Sequence, residues 1–237
     1  MHITLLDDTT SGLLWIDVTA PTHQELEQLA KQYNLHKTSV EDCLQPDHLP
    51  KLEVIENTTF LMLRRFDSDA RNNADTLQGL TTKVAIFTSD KLILTVHRLP
   101  FPHLSVIAEQ WKAFSCSVAD KLSYIVKDIS KAVLDTYEKE MDSIDLKIDE
   151  SEKKLILDNS HPDSSKMLYY TKRKSIIFRR VLLVSYEIFA THSTNDPKFL
   201  PYLNDIKEKA YRLRIEAEEQ VEQINNLLNL QMAFSAQ

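Results

Sequence analysis

The C-terminal stretch of this chain, residues 198–237, carries a heptad repeat over more than four heptads. The a and d positions hold Leu203, Ala210, Ala217, Ile224 and Gln231 in one series, and Ile206, Leu213, Gln220, Leu227 and Phe234 in the other. A repeat of this length predicts one long helix that packs along a seam. Because Ala210 and Ala217 are small and Gln220 is polar, we interpret the seam as a contact between subunits. The alternative is packing on helices of the same chain.

Two further long helices are predicted before this one, with polar breaks at 159–162 and 193–197. Apolar residues recur every three or four positions from Val118 to Leu155, as on one buried helix face. The arm from Asp135 to Glu152 holds eight acids and two lysines, and the arm from Lys166 to Arg180 holds six bases and no acid. We expect an antiparallel hairpin that sets acid against base. The alternative is that the acids gather divalent cations.

The first part of the chain, to about residue 115, mixes short strands with short helices. Strand-like runs occur at 13–18, 52–56, 59–66, 80–88 and 92–97. Thr22 with Glu25, and Thr38 with Glu41, have the spacing of a capping box, which predicts a helix start at each. The chain has only two glycines, which favours long helices over a many-stranded sandwich. The predicted fold is α+β, divided into a mixed domain (1–115), a helical hairpin (116–197) and a stalk helix (198–237).

Several classes of function are disfavoured by composition and motifs. The net charge is −7 and no basic block lies beside aromatic residues, so a nucleic-acid partner is not expected. The sequence contains no glycine-rich phosphate loop and no catalytic motif, so we do not expect an enzyme. The histidines form no metal-binding pair, and we interpret His97 and His103 as ordinary cap or surface residues. No apolar run approaches the roughly 20 residues that span a bilayer.

Short motifs follow one another in a characteristic order along nearly the whole chain. They are Trp15-Ile16-Asp17, Pro21-Thr22, Leu35, Glu41-Asp42, Pro50-Lys51-Leu52-Glu53, Leu94-Thr95-Val96-His97, and Leu227 to Gln231. This order, followed by three long helices, resembles the CorA family of magnesium, cobalt and nickel transporters, which includes the zinc transporter ZntB. One departure is Leu49, where the family usually has arginine.

The resemblance implies an α/β/α sandwich on a long helical stalk, arranged as a funnel-shaped homopentamer. It also implies a transporter in the cell inner membrane, with this segment on the cytoplasmic side. The family's Gly-Met-Asn signature, at the end of the first membrane helix, is absent from this sequence. We therefore expect the chain to stop shortly before that helix and to be joined to the membrane through a C-terminal segment it lacks.

Two carboxylates match, by spacing, the acids that bind regulatory divalent cations in family members. They are Asp205, near the start of the stalk helix, and Asp69, in the polar loop after the 59–66 strand. The resemblance implies that they hold Mg²⁺ between neighbouring subunits, with Co²⁺, Ni²⁺ or Zn²⁺ as further candidate ions. From residue chemistry alone, each is an ordinary solvated acid.

Two alternative functions remain open from the sequence. One is a ZntB-like zinc transporter domain, which softer ligands around His97 and His103 would favour. The other is a coiled-coil adaptor with no role in transport, in which the heptad seam joins different chains.

Overall fold

The computed structural model describes residues 2–114, 116–158, 162–191 and 197–235. Its strands are β1 (His2–Asp8), β2 (Leu13–Thr19), β3 (Lys51–Ile55), β4 (Thr58–Phe66), β5 (Thr81–Ser89) and β6 (Leu92–His97). Its helices are α1 (His23–Tyr33), α2 (Lys37–Leu44), α3 (Leu77–Leu80), α4 (His103–Lys112), α5 (Val118–Asp158), α6 (Pro162–Thr191) and α7 (Leu200–Ser235). Among the described residues that follow residue 117, the chain is helical almost throughout, as its periodicity predicts.

The six strands form one sheet in the order β1-β2-β6-β5-β4-β3. Of these strands only β2 and β6 pair in parallel, and the other neighbours pair antiparallel. Alternate side chains of β4 point to opposite faces, so Phe60 and Met62 pack with α1 and α2, whereas Leu61 and Leu63 pack toward the long helices. The sheet therefore lies between two helical layers, and the predicted α/β/α sandwich with long helices is confirmed.

The N-terminus of α1 has the predicted capping box. The Thr22 hydroxyl accepts a hydrogen bond from the Glu25 amide (3.2 Å), and the Glu25 carboxylate accepts one from the Thr22 amide (2.7 Å). The second predicted box is wrong, because α2 begins two residues earlier than expected. Its N-cap is His36, whose ring accepts from the Thr38 amide, so Thr38 lies inside the helix.

The three long helices pack side by side with alternating direction. Tyr124 of α5 lies edge-on to Tyr202 of α7, and farther along Asp145 of α5 accepts from Gln220 of α7 (2.8 Å), so α5 and α7 run parallel. α6 runs antiparallel to both, since Ser175 bonds Gln220 and Tyr186 contacts Tyr211. One hydrophobic core runs without a break from the sheet to the far part of α7.

The heptad seam is buried within its own chain, which corrects the interpretation as a contact between subunits. Ala210, Leu213, Ala217 and Ile224 have no exposed surface, and Leu203, Ile206, Gln220 and Leu227 are also buried. A side chain fully covered by its own chain has no surface left for another subunit. The small alanines instead allow α7 to approach α5 and α6. The Phe234 side chain lies outside the described residues.

Gln220 shows why a polar residue occupies this seam. Its amide nitrogen donates to the Met141 carbonyl (3.1 Å) and to Asp145 (2.8 Å), and its carbonyl oxygen accepts from the Ser175 hydroxyl (3.2 Å). These partners come from α5 and α6, so one side chain joins all three long helices. Buried polar groups that are fully hydrogen-bonded specify a unique packing arrangement.

The acidic and basic arms are antiparallel, but acid does not face base along their length. Lys174 of α6 pairs with Glu140 of α5 (2.5 Å). The neighbouring acids Asp135 and Glu138 pair instead with Lys209 of α7, and α6 packs chiefly along α7. Arg173 donates to the Asp75 carbonyl in the 67–76 loop rather than to an acid of α5. The predicted charge-matched hairpin is therefore wrong except around Glu140.

Candidate functional site

The two predicted metal-binding acids are both exposed and lie on different elements. Asp69 is in the loop that follows β4, where its amide donates to the Asp67 carboxylate (3.2 Å). Asp205 lies in the second turn of α7 with its side chain in solvent. In the parts of the chain that the structure describes, no three His, Cys, Asp or Glu side chains converge as a metal site. A site built from Asp69 and Asp205 of two neighbouring chains stays a prediction.

A second group of acids lies where the parallel helices α5 and α7 meet. Asp145 and Glu216 are at its centre, with Asp142, Asp149 and Glu219 around them. Burial, together with repulsion from Asp142 and Asp149, raises the pKa of the Asp145 carboxyl, although the Gln220 amide opposes this. Burial and repulsion from Asp145 likewise raise the pKa of Glu216, although the Arg212 guanidinium, 3.7 Å from the Glu216 carboxylate, opposes this. We call these five residues the acidic face.

The acidic face divides the acidic arm into two parts with different roles. Toward the start of the arm, Asp135, Glu138 and Glu140 are neutralised by lysine and arginine side chains of α6 and α7. Beyond Glu140, the acids of α5 meet further acids of α7. A concentration of negative charge attracts divalent cations. Sequence spacing could not reveal this face, because Glu216 and Glu219 lie far along the chain from Asp145 and meet it only through helix register.

We expect Glu216→Gln to raise the stability of the chain at neutral pH by roughly 0.5 kcal/mol, since the group is still partly exposed to water. The native state holds the Glu216 proton more tightly than the unfolded chain does. The contribution of Glu216 to the free energy of unfolding therefore falls as pH rises from about 4.3, the pKa in the unfolded chain, through the raised pKa in the native state. The variant lacks this loss. Urea unfolding at pH 7 and at pH 4 should show its advantage at the higher pH alone. Glu222→Gln, an exposed change on the same helix, should show none.

Two motifs of the sequence meet at the centre of the sheet and form a buried network. Asp17 of β2 and Thr95 of β6 are paired in register. The Thr95 hydroxyl donates to Asp17 (2.5 Å) and accepts from the Trp15 indole N–H (3.2 Å). The His97 ring lies with Nε2 2.9 Å from Asp17 and Nδ1 2.7 Å from the Leu99 carbonyl. These motifs therefore join two strands rather than forming a ligand site.

The histidines offer no support for a zinc site. His97 is buried, and both of its ring nitrogens face acceptors within the chain. His103 is exposed and its ring contacts Phe101, with 4.9 Å between centroids. In the described residues, neither ring belongs to a group of three or more His, Cys, Asp or Glu side chains that could hold a metal ion. His103 lies at the surface as expected, whereas the interpretation of His97 as a cap or surface residue is wrong, because its ring is buried against Asp17.

None of the helices, within the residues that the structure describes, combines the length and the apolar character needed to cross a membrane.

Comparison with known proteins gives the fold and the family. The magnesium transporter ALR2 of Saccharomyces cerevisiae is 26% identical over 138 residues, which cover 55% of this chain and 16% of that protein. The complete CorA magnesium transporter from Methanocaldococcus jannaschii matches with a TM-score of 0.77 at 14% identity, over 94% of this chain and 70% of that one. The ZntB cytoplasmic domain from Vibrio parahaemolyticus matches with a TM-score of 0.69 at 10% identity, over 92% and 85%.

These structural likenesses show the fold alone, because their sequence identities are low. The curated relative is far longer than this chain. The family model for CorA-like Mg²⁺ transporter proteins, however, matches residues 10–237, which include five of the six strands whole and all three long helices. This chain belongs to the CorA-like Mg²⁺ transporter family.

Proposed function

We propose that this chain is the cytoplasmic domain of a divalent-cation transporter, and that it senses Mg²⁺. The observation that carries the proposal is the family match over residues 10–237. The magnesium transporters among its relatives support Mg²⁺ as the ion. In this proposal the complete protein lies in the inner membrane and α7 leads toward the membrane-spanning part.

The sensing step needs self-association, which we propose to be pentameric. The heptad seam is not available for it, because it is buried within one chain. We propose that contact between chains uses the outer surface of α7 instead, where Asp205 is exposed and Tyr211 is 47% exposed. Asp205 of one copy then faces Asp69 of the next.

A hydrated Mg²⁺ fits two such carboxylates. Mg²⁺ gives up water reluctantly, and protein sites often supply one or two carboxylates while several waters remain. The bound ion cancels the repulsion between the two acids and holds neighbouring chains together. Losing the ion restores that repulsion and loosens the contact, which favours an open pore in the complete protein.

We expect Asp205→Asn to abolish the protection from protease that Mg²⁺ gives to the assembled protein. The substitution keeps the size of the side chain and removes the charge that attracts the ion. Limited proteolysis over a Mg²⁺ titration measures the effect. Asp69→Asn should act in the same way, whereas Glu222→Gln, an exposed acid on the same helix, should leave protection unchanged.

If both Asp69→Asn and Asp205→Asn keep full protection, the sensing site lies elsewhere. The acidic face around Asp145 and Glu216 is then the next candidate. The same titration with Glu216→Gln separates the two locations.

The other two functions are less well supported. The zinc alternative has a fold neighbour in ZntB, but His97 has both ring nitrogens engaged inside the sheet. The adaptor alternative depended on an intermolecular seam, and the seam lies within one chain.

A further inference from the structure

In the described residues, most basic side chains of the arm from Lys166 to Arg180 form no ion pair with the acids of α5. In the described part of the chain, Lys174 is the one base of that arm that pairs with an acid. Lys166, Lys172, Arg179 and Arg180 lie on the remaining surface of the helix. In a chain with net charge −7, such a concentration of positive charge has to be explained by something other than the hairpin.

Part of this arm lines a pocket between α5, α6 and the 67–76 loop. Its volume is about 360 Å³. Lys147 of α5 and Lys166 and Lys174 of α6 lie around it, and Asn72 and Asn73 of the loop close one side. None of the described residues that line the pocket is acidic.

The charges around the pocket are incompletely balanced. Lys174 is only 5% exposed, and its ammonium group lies 2.5 Å from the Glu140 carboxylate. Lys147 shares that same carboxylate at 3.8 Å. Two lysines thus have one acid between them, and Lys166 forms no ion pair with any described residue. Among the described side chains, the three ammonium groups have one carboxylate between them, and positive charge is more effective in a partly buried pocket than in open solvent.

We propose that this pocket binds a small soluble anion that carries phosphate. A phosphate group brings about two negative charges and several strong acceptor oxygens, which match lysine ammonium groups. The Asn72 and Asn73 amides supply further donors. The remaining wall includes Tyr170, against which the organic part of a ligand packs. The volume lies at the small end of the roughly 300–1,000 Å³ typical of ligand sites, which fits a single small molecule.

Isothermal titration calorimetry with inorganic pyrophosphate, in metal-free buffer, tests this site. The wild-type chain should bind, and the double variant Lys147→Gln/Lys166→Gln should bind about ten-fold more weakly or worse. Lys174 is left unchanged, because its loss would bury the Glu140 carboxylate without a partner. The control Lys172→Gln/Arg180→Gln removes the same charge outside the pocket and should bind like the wild type. Circular dichroism establishes that each variant is folded.

Three outcomes overturn the proposal. The first is no binding to the wild type at millimolar pyrophosphate. The second is an equal loss in the control variant, which would show attraction to general positive charge. The third concerns the source of the phosphate. The ligand is a lipid headgroup if three results hold together. The wild-type chain sediments with phosphatidylcholine vesicles that contain phosphatidic acid, the variant Lys147→Gln/Lys166→Gln does not, and pyrophosphate does not displace the chain from the vesicles. Any of these three outcomes would leave the proposed Mg²⁺ sensing unaffected, because Mg²⁺ sensing depends on acids that lie outside the pocket.

Discussion

Leu213→Ala is expected to lower the free energy of unfolding by about 2–5 kcal/mol. Leu213 has no exposed surface and lies where α7 packs against the rest of its own chain. Truncation removes buried apolar surface and leaves a cavity that the surrounding helices fill only in part. Because the seam lies within one chain, the unfolding midpoint should not depend on protein concentration. Urea unfolding followed by circular dichroism at several concentrations measures both quantities.

The control for this change is Leu230→Ala, on the same helix but 37% exposed. Leu230→Ala should lower the free energy of unfolding clearly less than Leu213→Ala does. A midpoint for the wild type that rises steeply with concentration would contradict the assignment of the seam to one chain, since mass action then contributes to stability. Equal stability of the Leu213→Ala and Leu230→Ala variants would also contradict this assignment.

Asp17→Ala is expected to lower the free energy of unfolding by about 2–5 kcal/mol, which makes it the other large effect. Asp17 is 8% exposed and accepts hydrogen bonds from Thr95 and His97 inside the sheet. Its removal leaves the buried His97 ring and the Thr95 hydroxyl without their acceptor. Each buried donor left without its acceptor costs about 1–3 kcal/mol, so the loss of an acceptor shared by two side chains is expensive. Thermal and urea unfolding both measure the loss.

Two further variants separate the pair from the rest of the network. Asp7→Ala, at an exposed aspartate of neighbouring β1, should change stability by about 0.5 kcal/mol or less. Asp17→Ala/His97→Ala should cost less than the sum of the two single changes, because each single change already breaks the shared contact. Strict additivity would show that Asp17 and His97 do not act together.

The sequence predicted the positions of the long helices well, but it predicted poorly which surfaces those helices pack against. The seam from Leu203 to Leu227 identifies buried side chains, and so does the periodicity from Val118 to Leu155 except at Val118 and Leu122, which are half-buried. Periodicity cannot say which surface buries them, since α5, another copy of α7 or any apolar face gives the same spacing. The small Ala210 and Ala217 were consistent with close approach of helices from either source. Only the three-dimensional packing decides between them.

The candidate site was predictable only in part, for a related reason. Asp69 and Asp205 were chosen through the family resemblance, and both are exposed as a site between subunits requires. Their pairing stays a prediction, as does the division at residues 115 and 197. The acidic face was not predicted, because Asp145 and Glu216 meet through the parallel register of α5 and α7. The number of charges along one arm says nothing about how α5 is aligned with α7.

The uninterrupted core has a mechanical consequence. The Phe66 amide of β4 donates to Thr136 of α5 (2.9 Å), and the Tyr137 hydroxyl donates to the Arg64 carbonyl (2.8 Å), so the sheet is bonded directly to the helices. Phe178 of α6 packs edge-on against Phe66. A close-packed interior transmits strain instead of absorbing it. The sheet and the long helices therefore behave as one rigid body, and a change in the angle of α7 requires the sheet to move with it.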